Sequence, residues 1–248
     1  PDEELGSLLS IWISIPEKGE NTLSIVYNND YRYTMRQYPL PLSRFAGGSG
    51  TEDDPYQPAT SGDLEQIASD LSAHYRIVAD IDASLYPFRS IEGEFTGTLD
   101  GEGHIIKGLN LDAAIFSYVN RKDIGESTPS TTGIVRNITL VEPRITATID
   151  RDGIIASEAM GGTFSGIRIY NPQITAAASC SSFGGIVGGA SLYTLVEGCS
   201  LDNATVELPR ATFGGIVGET RTSSVVSACA FSGNVLNAES VGGIVGEL

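Results

Sequence analysis

The hexapeptide FGGIVG occupies residues 183–188, returns at 213–218, and recurs as VGGIVG at 241–246. The copies begin 30 and then 28 residues apart. Self-similarity at a fixed period of roughly 20–50 residues is typical of solenoids, propellers and repeat arrays. The repeat therefore constrains the architecture more strongly than any other feature of the chain.

Apolar residues recur at the same period in columns, and an offset of two residues between columns is strand periodicity. A coil of short strands stacked on the next coil at about 4.8 Å fits this pattern. We therefore expect a right-handed parallel β-helix of about 30-residue coils, with its hand taken from the general rule for parallel crossovers. The columns are Leu109, Ile138, Ile167, Cys199 and Cys229; Leu111, Leu140, Ile169, Leu201 and Phe231; Ile106, Val135, Phe164, Val196 and Val226; Ile145, Ile174, Val206 and Leu236; and the glycines Gly153, Gly185, Gly215 and Gly243.

The glycines of the hexapeptide predict a sharp bend between faces of each coil. Glycine allows either a positive φ or a close backbone approach, because it has no Cβ. These structural positions are Gly184, Gly185, Gly188, Gly214, Gly215, Gly218, Gly242, Gly243 and Gly246.

The N-terminal part of the chain divides into two predicted regions. Residues 1–48 read as a small three-stranded β-meander followed by the linker AGGSGTEDDPYQP, and residues 49–248 as the repeat domain. In TSGDLEQIASDL, Thr60 and Asp63 resemble a capping box, and Leu64 and Ile67 follow at helical spacing. We expect this helix to cover the N-terminal end of the solenoid. At the other end we expect either continuation of the chain or a partner over Leu248.

Charge and hydropathy exclude several classes of partner. The net charge of −16 repels phosphate backbones, so nucleic acid is not an expected partner. No apolar stretch is long enough to span a membrane. Three cysteines are too few for a disulfide scaffold.

Five segments taken in order resemble the GLUG-motif proteins. They are GTEDDPYQPATSGDLEQIA, YRIVADIDAS, FTGTLDGEGHIIKGLNL, AAIFSYV and the repeated GGIVG, and together they cover roughly residues 49–248. GLUG-motif proteins are bacterial surface and secreted proteins, and related repeats occur in large adhesins and beside immunoglobulin A metalloproteases. The resemblance implies a right-handed β-helix, an extracellular or cell-surface location, and an adhesin-like binding role. It carries no catalytic residues to this chain.

Candidate sites for chemistry are sparse. A zinc metalloprotease of the kind found beside related repeats needs two histidines one helical turn apart with a glutamate between them. Neither His74 nor His104 is followed by Glu. Asp80 and Asp82 alternate along a predicted strand and are candidate calcium ligands, although local turn chemistry is an alternative role. Asp100 precedes Gly101 and indicates a turn. No essential cofactor is expected; calcium is the one candidate ligand ion for Asp80 and Asp82.

Candidate ligand-binding residues lie in two places. Trp12, Tyr31 and Tyr33 in the meander offer aromatic faces to a sugar, with packing in strands as the alternative. Asp123 and Glu126 lie in NRKDIGESTPSTT at 120–132, a polar stretch that breaks the repeat and is expected to project. Cys199 and Cys229 share a core column, which favours buried thiols and leaves an inter-coil disulfide open. Cys180 has no counterpart and is expected in a loop or at an edge.

Three functions remain open at this stage. The first is a binding or display module of a longer exported surface protein, which recognises a host or dietary glycan, or a protein, through the solenoid side and its loops without catalysis. The second is a carbohydrate-active enzyme, a lyase or hydrolase, because paired carboxylates on a β-helix could cleave glycosidic bonds. The third is a passive structural stalk.

Overall fold

The computed structural model describes residues 7–14, 21–29, 32–40, 45–85, 87–120, 132–177 and 179–248, and for the first three ranges it describes the backbone. The chain forms two compact units, Pro1–Arg44 and Phe45–Leu248.

The first unit is the expected three-stranded antiparallel meander. Its strands are β1 (Ser7–Ser14), β2 (Asn21–Asn29) and β3 (Arg32–Leu40), in the order β1-β2-β3. Ile11 pairs with Ile25, and Ile25 pairs with Arg36.

The second unit consists of one short helical segment and many short strands. Helix α1 (Ser61–Gln66) continues into a single 3-10 turn, Ile67–Ser69. The strands are β4 (His74–Arg76), β5 (Ile81–Asp82), β6 (Ile91–Phe95), β7 (Thr98–Asp100), β8 (Ile105–Lys107), β9 (Asn110–Leu111), β10 (Phe116–Asn120), β11 (Ile134–Arg136), β12 (Thr139–Val141), β13 (Arg144–Ala147), β14 (Arg151–Gly153), β15 (Ala156–Met160), β16 (Thr163–Ser165), β17 (Arg168–Tyr170), β18 (Gln173–Ala176), β19 (Ser182–Gly184), β20 (Val187–Ser191), β21 (Leu195–Glu197), β22 (Ser200–Gly214), β23 (Val217–Thr220), β24 (Val225–Ser227), β25 (Ala230–Gly242) and β26 (Val245–Glu247).

These strands stack in parallel from coil to coil, which confirms the predicted β-solenoid. One face is the six-stranded sheet β26-β23-β20-β15-β10-β6, and a second is the six-stranded sheet β24-β21-β16-β11-β7-β4. The remaining strands join into a third, longer sheet that follows the bends of the coils. Like residues therefore lie above one another along the solenoid, and their apolar side chains fill a continuous interior.

The predicted register is right for the later coils and wrong for the first. Val135, Phe164, Val196 and Val226 share a column as expected, but the residue that pairs with Val135 is Leu99. Ile106 belongs with Leu140, and Leu111 with Ile145. The prediction failed because it assumed a constant period, whereas the step from Leu99 to Val135 spans 36 residues.

Two smaller assignments in the columns are also corrected. Gly153 pairs with Gly184, which pairs with Gly214 and then Gly242, so the glycine series lies one residue earlier in the last three coils. Val206 pairs with Val235, because the register shifts before it, between Leu201 and Ala204, and Leu236 is 66% exposed.

Eight of the nine hexapeptide glycines, all except Gly243, serve close approach of neighbouring atoms, and none of the nine has a positive φ. A Cβ on Gly184 would lie 1.9 Å from the carbonyl oxygen of Val187 and 2.5 Å from the amide nitrogen of Gly218. The same position in the next coil, Gly214, would meet Val217 O at 1.8 Å. The coil therefore needs glycine at these positions because there is no room for a Cβ, and not because φ is positive.

Helix α1 closes the N-terminal end of the solenoid core. Its capping box is formed: the Asp63 amide donates to Thr60 Oγ1, and the Thr60 amide donates to Asp63 Oδ2. Leu64 and Ile67 are buried and line the end of the core beside Ile91 and Leu99. This bears out the expected capping role, because the apolar face of the helix removes the first coil's open face from water.

The stretch expected as a linker belongs to the second unit. The Phe45 ring stacks on Tyr56 with centroids 4.8 Å apart, and it meets Tyr75 edge-on at 5.5 Å. The Ala46 amide donates to the Gln57 carbonyl oxygen, and the Gln57 amide donates to the Gly47 carbonyl oxygen, each at 2.9 Å. These aromatic contacts, which residue composition does not reveal, hold residues 46–58 against the first coil.

Candidate functional site

One outer face of the solenoid carries a column of acidic and aromatic side chains. In the sheet β26-β23-β20-β15-β10-β6, buried residues such as Phe116 and Val119 flank two outward residues, Ser117 and Tyr118. In-register stacking then aligns the outward positions of successive coils. The resulting column is Glu94, Tyr118, Glu158, Gly189, Glu219 and Glu247.

Arg151, from the adjacent strand β14, forms ion pairs with the carboxylates of this face. Its Nε donates to Glu158 Oε1, and its Nη1 lies 3.5 Å from Asp150 Oδ2 and 3.8 Å from Glu219 Oε2. Arg221 binds the same Glu219 through two nitrogen–oxygen contacts, at 2.6 and 3.1 Å. The guanidinium groups hold the carboxylates in fixed positions instead of leaving them as freely moving surface charges.

Gly189 keeps the column open beside this ion-pair network. A Cβ there would lie 2.6 Å from Glu158 Oε2 and 3.3 Å from Arg151 Cδ. The absent side chain leaves the room in which the Arg151–Glu158 pair sits.

The face contains an open cleft of about 350 Å³, which we name the side cleft. It combines apolar and polar groups: Tyr118 is 42% exposed and Ile149 is 40% exposed. Three carboxylates and one guanidinium line it, so its formal charge is negative. The residues that line it are Glu92, Ala113, Ser117, Tyr118, Ile149, Asp150, Arg151, Ser157 and Glu158.

The floor of the side cleft rests on a buried carboxylate. Ser157 Oγ donates to Asp152 Oδ1 at 3.0 Å, and the amides of Ala114 and Gly153 donate to the same oxygen, each at 3.0 Å. Asp152 Oδ2 has no hydrogen-bond partner within the protein. Burial raises the pKa of Asp152 to about 6, against the opposing effect of these donors.

A second cleft, of about 610 Å³, lies beside helix α1 and is lined in part by Glu65, Arg89 and Asp112. Its aromatic residue, Phe88, is buried, and Glu65 Oε1 is occupied by the amide of Arg89 at 3.0 Å. The side cleft is therefore the better candidate binding site despite its smaller volume, because it exposes an aromatic ring beside fixed polar groups.

Asp80 and Asp82 are held by separate contacts. Asp80 precedes strand β5, and its Oδ1 accepts from the Ile105 amide at 2.9 Å and lies 3.1 Å from His104 Nδ1. Asp82 Oδ1 accepts from the Ser84 amide at 2.9 Å and from Ser84 Oγ at 2.6 Å. The Ile105 amide lowers the pKa of Asp80, and the Ser84 hydroxyl lowers that of Asp82. Asp80 thus contacts the next coil at the start of β8, whereas Asp82 is bonded within its own segment.

Asp100 has a structural role in a turn, as the Asp100–Gly101 sequence indicates. Its Oδ1 accepts from the Glu102 amide and from Asn137 Nδ2, and its Oδ2 accepts from Arg136 Nε at 2.6 Å. Within the described ranges, His, Cys, Asp and Glu side chains form no group of three or more that could hold a metal ion.

For the other candidate ligand-binding residues, the structure describes the backbone of two. The backbone of Trp12 lies in β1 and that of Tyr33 in β3. Tyr31, Asp123 and Glu126 lie outside the described residues.

All three cysteines are free thiols. Cys180 lies in a loop, as expected, but is 2% exposed, and burial raises its pKa to about 12. Cys199 and Cys229 lie side by side in successive coils, and a hydrogen bond between the two thiols raises the pKa of Cys199 and lowers that of Cys229. Cys199 is buried and Cys229 is partly exposed.

The residues of the side cleft were not found from the sequence. Tyr118, Arg151 and Glu158 come from different strands, and no local motif connects them. In each coil, an outward-facing residue lies two positions after a core residue. This spacing identifies the column of site residues only when the register of the first coils is known.

Comparison with known proteins shows likeness to surface-associated proteins and to a protease structure. The chain is 30% identical over 181 residues to halomucin of Haloquadratum walsbyi, a match that covers 68% of this chain and 2% of halomucin. It is 31% identical over 116 residues to a proposed Gly-rich membrane protein of Evansella cellulosilytica, a match that covers 42% of this chain and 13% of the relative. The chain thus spans a small fraction of these relatives, and no protein-family model matches it.

The solved structure of an IgA1 protease superposes with a TM-score of 0.59 at 18% identity, over 96% of this chain and 19% of the protease chain. At this identity the likeness shows the solenoid fold alone. In the part of the chain that the structure describes, no helix combines the length and apolar character needed to cross a bilayer.

Proposed function

We propose that this chain is a cell-surface or extracellular β-solenoid module that binds an uncharged or amino-bearing glycan in the side cleft, without catalysis. The observation that carries the proposal is the exposed Tyr118 ring beside the fixed Arg151–Glu158 pair. The names of the two sequence relatives, a mucin-like name and a membrane protein, support a surface location.

The cleft chemistry fits a sugar better than other ligands. The C–H face of a pyranose packs against an aromatic ring, and its hydroxyls donate to carboxylates such as Glu92 and Glu158 and accept from Arg151. The excess of carboxylates disfavours uronate and sulfate groups by like-charge repulsion. An ammonium group or a neutral hydroxyl face is compatible with the same surroundings.

The test is binding of the purified chain to an array of neutral, amino-bearing and uronate glycans, with and without calcium. Tyr118→Ala should weaken the retained glycan by about tenfold, the loss expected from one aromatic contact. Tyr193→Ala is the matched control, because Tyr193 is 72% exposed and does not line the cleft. Equal binding by both variants, or binding of no glycan, would reject the proposal.

The same experiment separates the other functions. New reducing ends or unsaturated products after incubation with the retained glycan would indicate an enzyme. Strict calcium dependence lost in Asp80→Asn or Asp82→Asn would place the binding site at those carboxylates. Binding of a basic protein in place of any glycan would assign the acidic column to a protein partner.

A further inference from the structure

Cys199 and Cys229 occupy the same corner of two successive coils. Cys199 lies between β21 and β22, and Cys229 lies between β24 and β25. The strands that leave the corner pair in parallel register, with Ser200 opposite Ala230, and the Ala230 amide donates to Cys199 O at 3.0 Å. Stacked coils are spaced by about 4.8 Å, and a disulfide spans Cα–Cα distances of about 4.4–6.8 Å. The backbone therefore places the two cysteines within disulfide range.

The two thiols also point into equivalent positions. Cys199 Sγ lies 3.8 Å from the carbonyl oxygen of Phe164, and Cys229 Sγ lies 3.7 Å from that of Val196, which stacks on Phe164 one coil later. A hydrogen bond joins the two thiols, and it raises the pKa of Cys199 and lowers that of Cys229. The side chains are thus in contact across the coil–coil interface.

Packing alone does not require cysteine in this corner. Ile138 and Ile167 fill the equivalent positions of the two preceding coils, and both are buried. The chain has three cysteines in 248 residues, so a directly stacked pair is not expected from composition. The corner therefore accepts a larger aliphatic side chain, and the property that cysteine adds is its sulfur chemistry.

We propose that Cys199 and Cys229 are a redox pair, which a small-molecule disulfide such as oxidised glutathione converts into an inter-coil disulfide. The Cys229 thiolate attacks one glutathione sulfur, which forms a mixed disulfide and releases one glutathione thiolate. The Cys199 thiolate then attacks Cys229 Sγ, which forms the Sγ–Sγ bond and releases the second glutathione. The two cysteines lose two protons and two electrons, and glutathione disulfide gains them as two thiols.

The order of attack and the location of the protein both favour this reaction. Cys229 attacks first because its lowered pKa provides more thiolate. The surface location proposed above exposes the pair to an environment in which disulfides form and persist. Neither cysteine lines the side cleft, so failure of the glycan proposal and failure of this one are separate results.

The bond would join residues 30 positions apart in the sequence and so restrict the unfolded chain. The oxidised protein should therefore unfold at a midpoint about 5–10 °C above that of the reduced protein. Cys180→Ala is the matched control, because Cys180 lies in a different loop, and the variant should keep the full increase. Cys199→Ala should abolish it.

The test treats the reduced, folded chain with oxidised glutathione and cleaves it after glutamate without reduction. This cleavage places each cysteine in its own peptide: residues 159–197, 198–207 and 220–239. We expect the second and third peptides to be linked, with a mass lower by two hydrogens than their sum, and Cys199→Ala to retain glutathione on Cys229. Glutathione retained on Cys229 of the parent chain, a link to Cys180, or a link formed only in urea would overturn the proposal.

Discussion

Asp152 pairs in register with Phe183, so a carboxylate occupies in one coil the core position that a phenyl ring fills in the next. Both residues are fully buried. The carboxylate is accommodated because three donors, from Ala114, Gly153 and Ser157, converge on one of its oxygens. The other oxygen lacks a protein partner, so ionisation at this position has a cost in folding free energy.

We expect this cost to appear as a pH dependence of stability. Burial raises the pKa of Asp152 from 3.8 to about 6 in the folded state, so the neutral acid stabilises the fold below about pH 4, and that stability is lost as the pH rises through 6. Asp152→Asn removes this dependence. The unfolding free energy of the variant minus that of the parent should increase by about 3 kcal/mol between pH 4 and pH 7. Urea unfolding at both pH values measures it, with exposed Asp53→Asn as control; a constant difference would contradict the prediction.

Gly189→Ala should separate binding from stability. The added methyl group meets Glu158 Oε2 at the end of a side chain, which can shift without moving the backbone, so the unfolding free energy should change by less than about 1 kcal/mol. Displacement of Glu158 and Arg151 should nevertheless weaken glycan binding several-fold. Calorimetric titration with the retained glycan, alongside thermal unfolding, tests both effects. Unchanged affinity would mean that the Arg151–Glu158 pair does not contribute to the binding site.

Gly184→Ala should be strongly destabilising, because its Cβ would overlap backbone atoms of Val187 and Gly218 that cannot move independently. We expect a loss of about 3 kcal/mol in unfolding free energy. Gly62→Ala is a useful contrast: its Cβ would lie 3.8 Å from Thr60 Oγ1, inside helix α1, and should stabilise by up to about 1 kcal/mol. Chemical unfolding of the two variants compares them. Similar effects would refute the close-approach explanation.

Thiol labelling should distinguish the three cysteines. Cys229 is partly exposed and its pKa is lowered by the hydrogen bond with Cys199, so it should react first with a disulfide reagent such as Ellman's reagent. Cys180 and Cys199 should react at the rate of unfolding or local opening, because both are buried and their pKa values are raised. Labelling followed by peptide mass spectrometry identifies the order, and Cys229→Ser should remove the fast phase. Early modification of Cys180 would contradict the burial described.

The fold could be predicted in those parts where its determinants are local or repeated. Thr60 and Asp63 lie three residues apart and form the capping box that their spacing predicts. The later coils have a nearly constant period, so the column Val135, Phe164, Val196 and Val226 was correctly assigned. The first coil was misaligned because its length differs, and a one-dimensional pattern does not show where the additional residues are inserted.

The candidate site depended on relationships that sequence spacing does not encode. Tyr118 and Glu158 are neighbours because two coils stack, although 40 residues separate them. From the sequence alone, Asp152 would be interpreted as a surface carboxylate. Its pairing with Phe183 places it in the core. Conversely, Asp80 and Asp82 alternate as strand residues would, yet Asp80 contacts the next coil and Asp82 contacts Ser84 in its own segment. Side chains that function together across coils require the register before they can be recognised.

Helix α1 makes the two ends of the solenoid unequal, and this has a consequence for self-association. Parallel stacking of two copies would place the first coil of one molecule on the last coil of another, and repetition of such a heterologous contact would build an open fibre. Leu64 and Ile67 occupy the surface that this contact would need. The helix therefore blocks this heterologous contact at the N-terminal end of the solenoid, and its deletion should expose an apolar coil face that favours self-association.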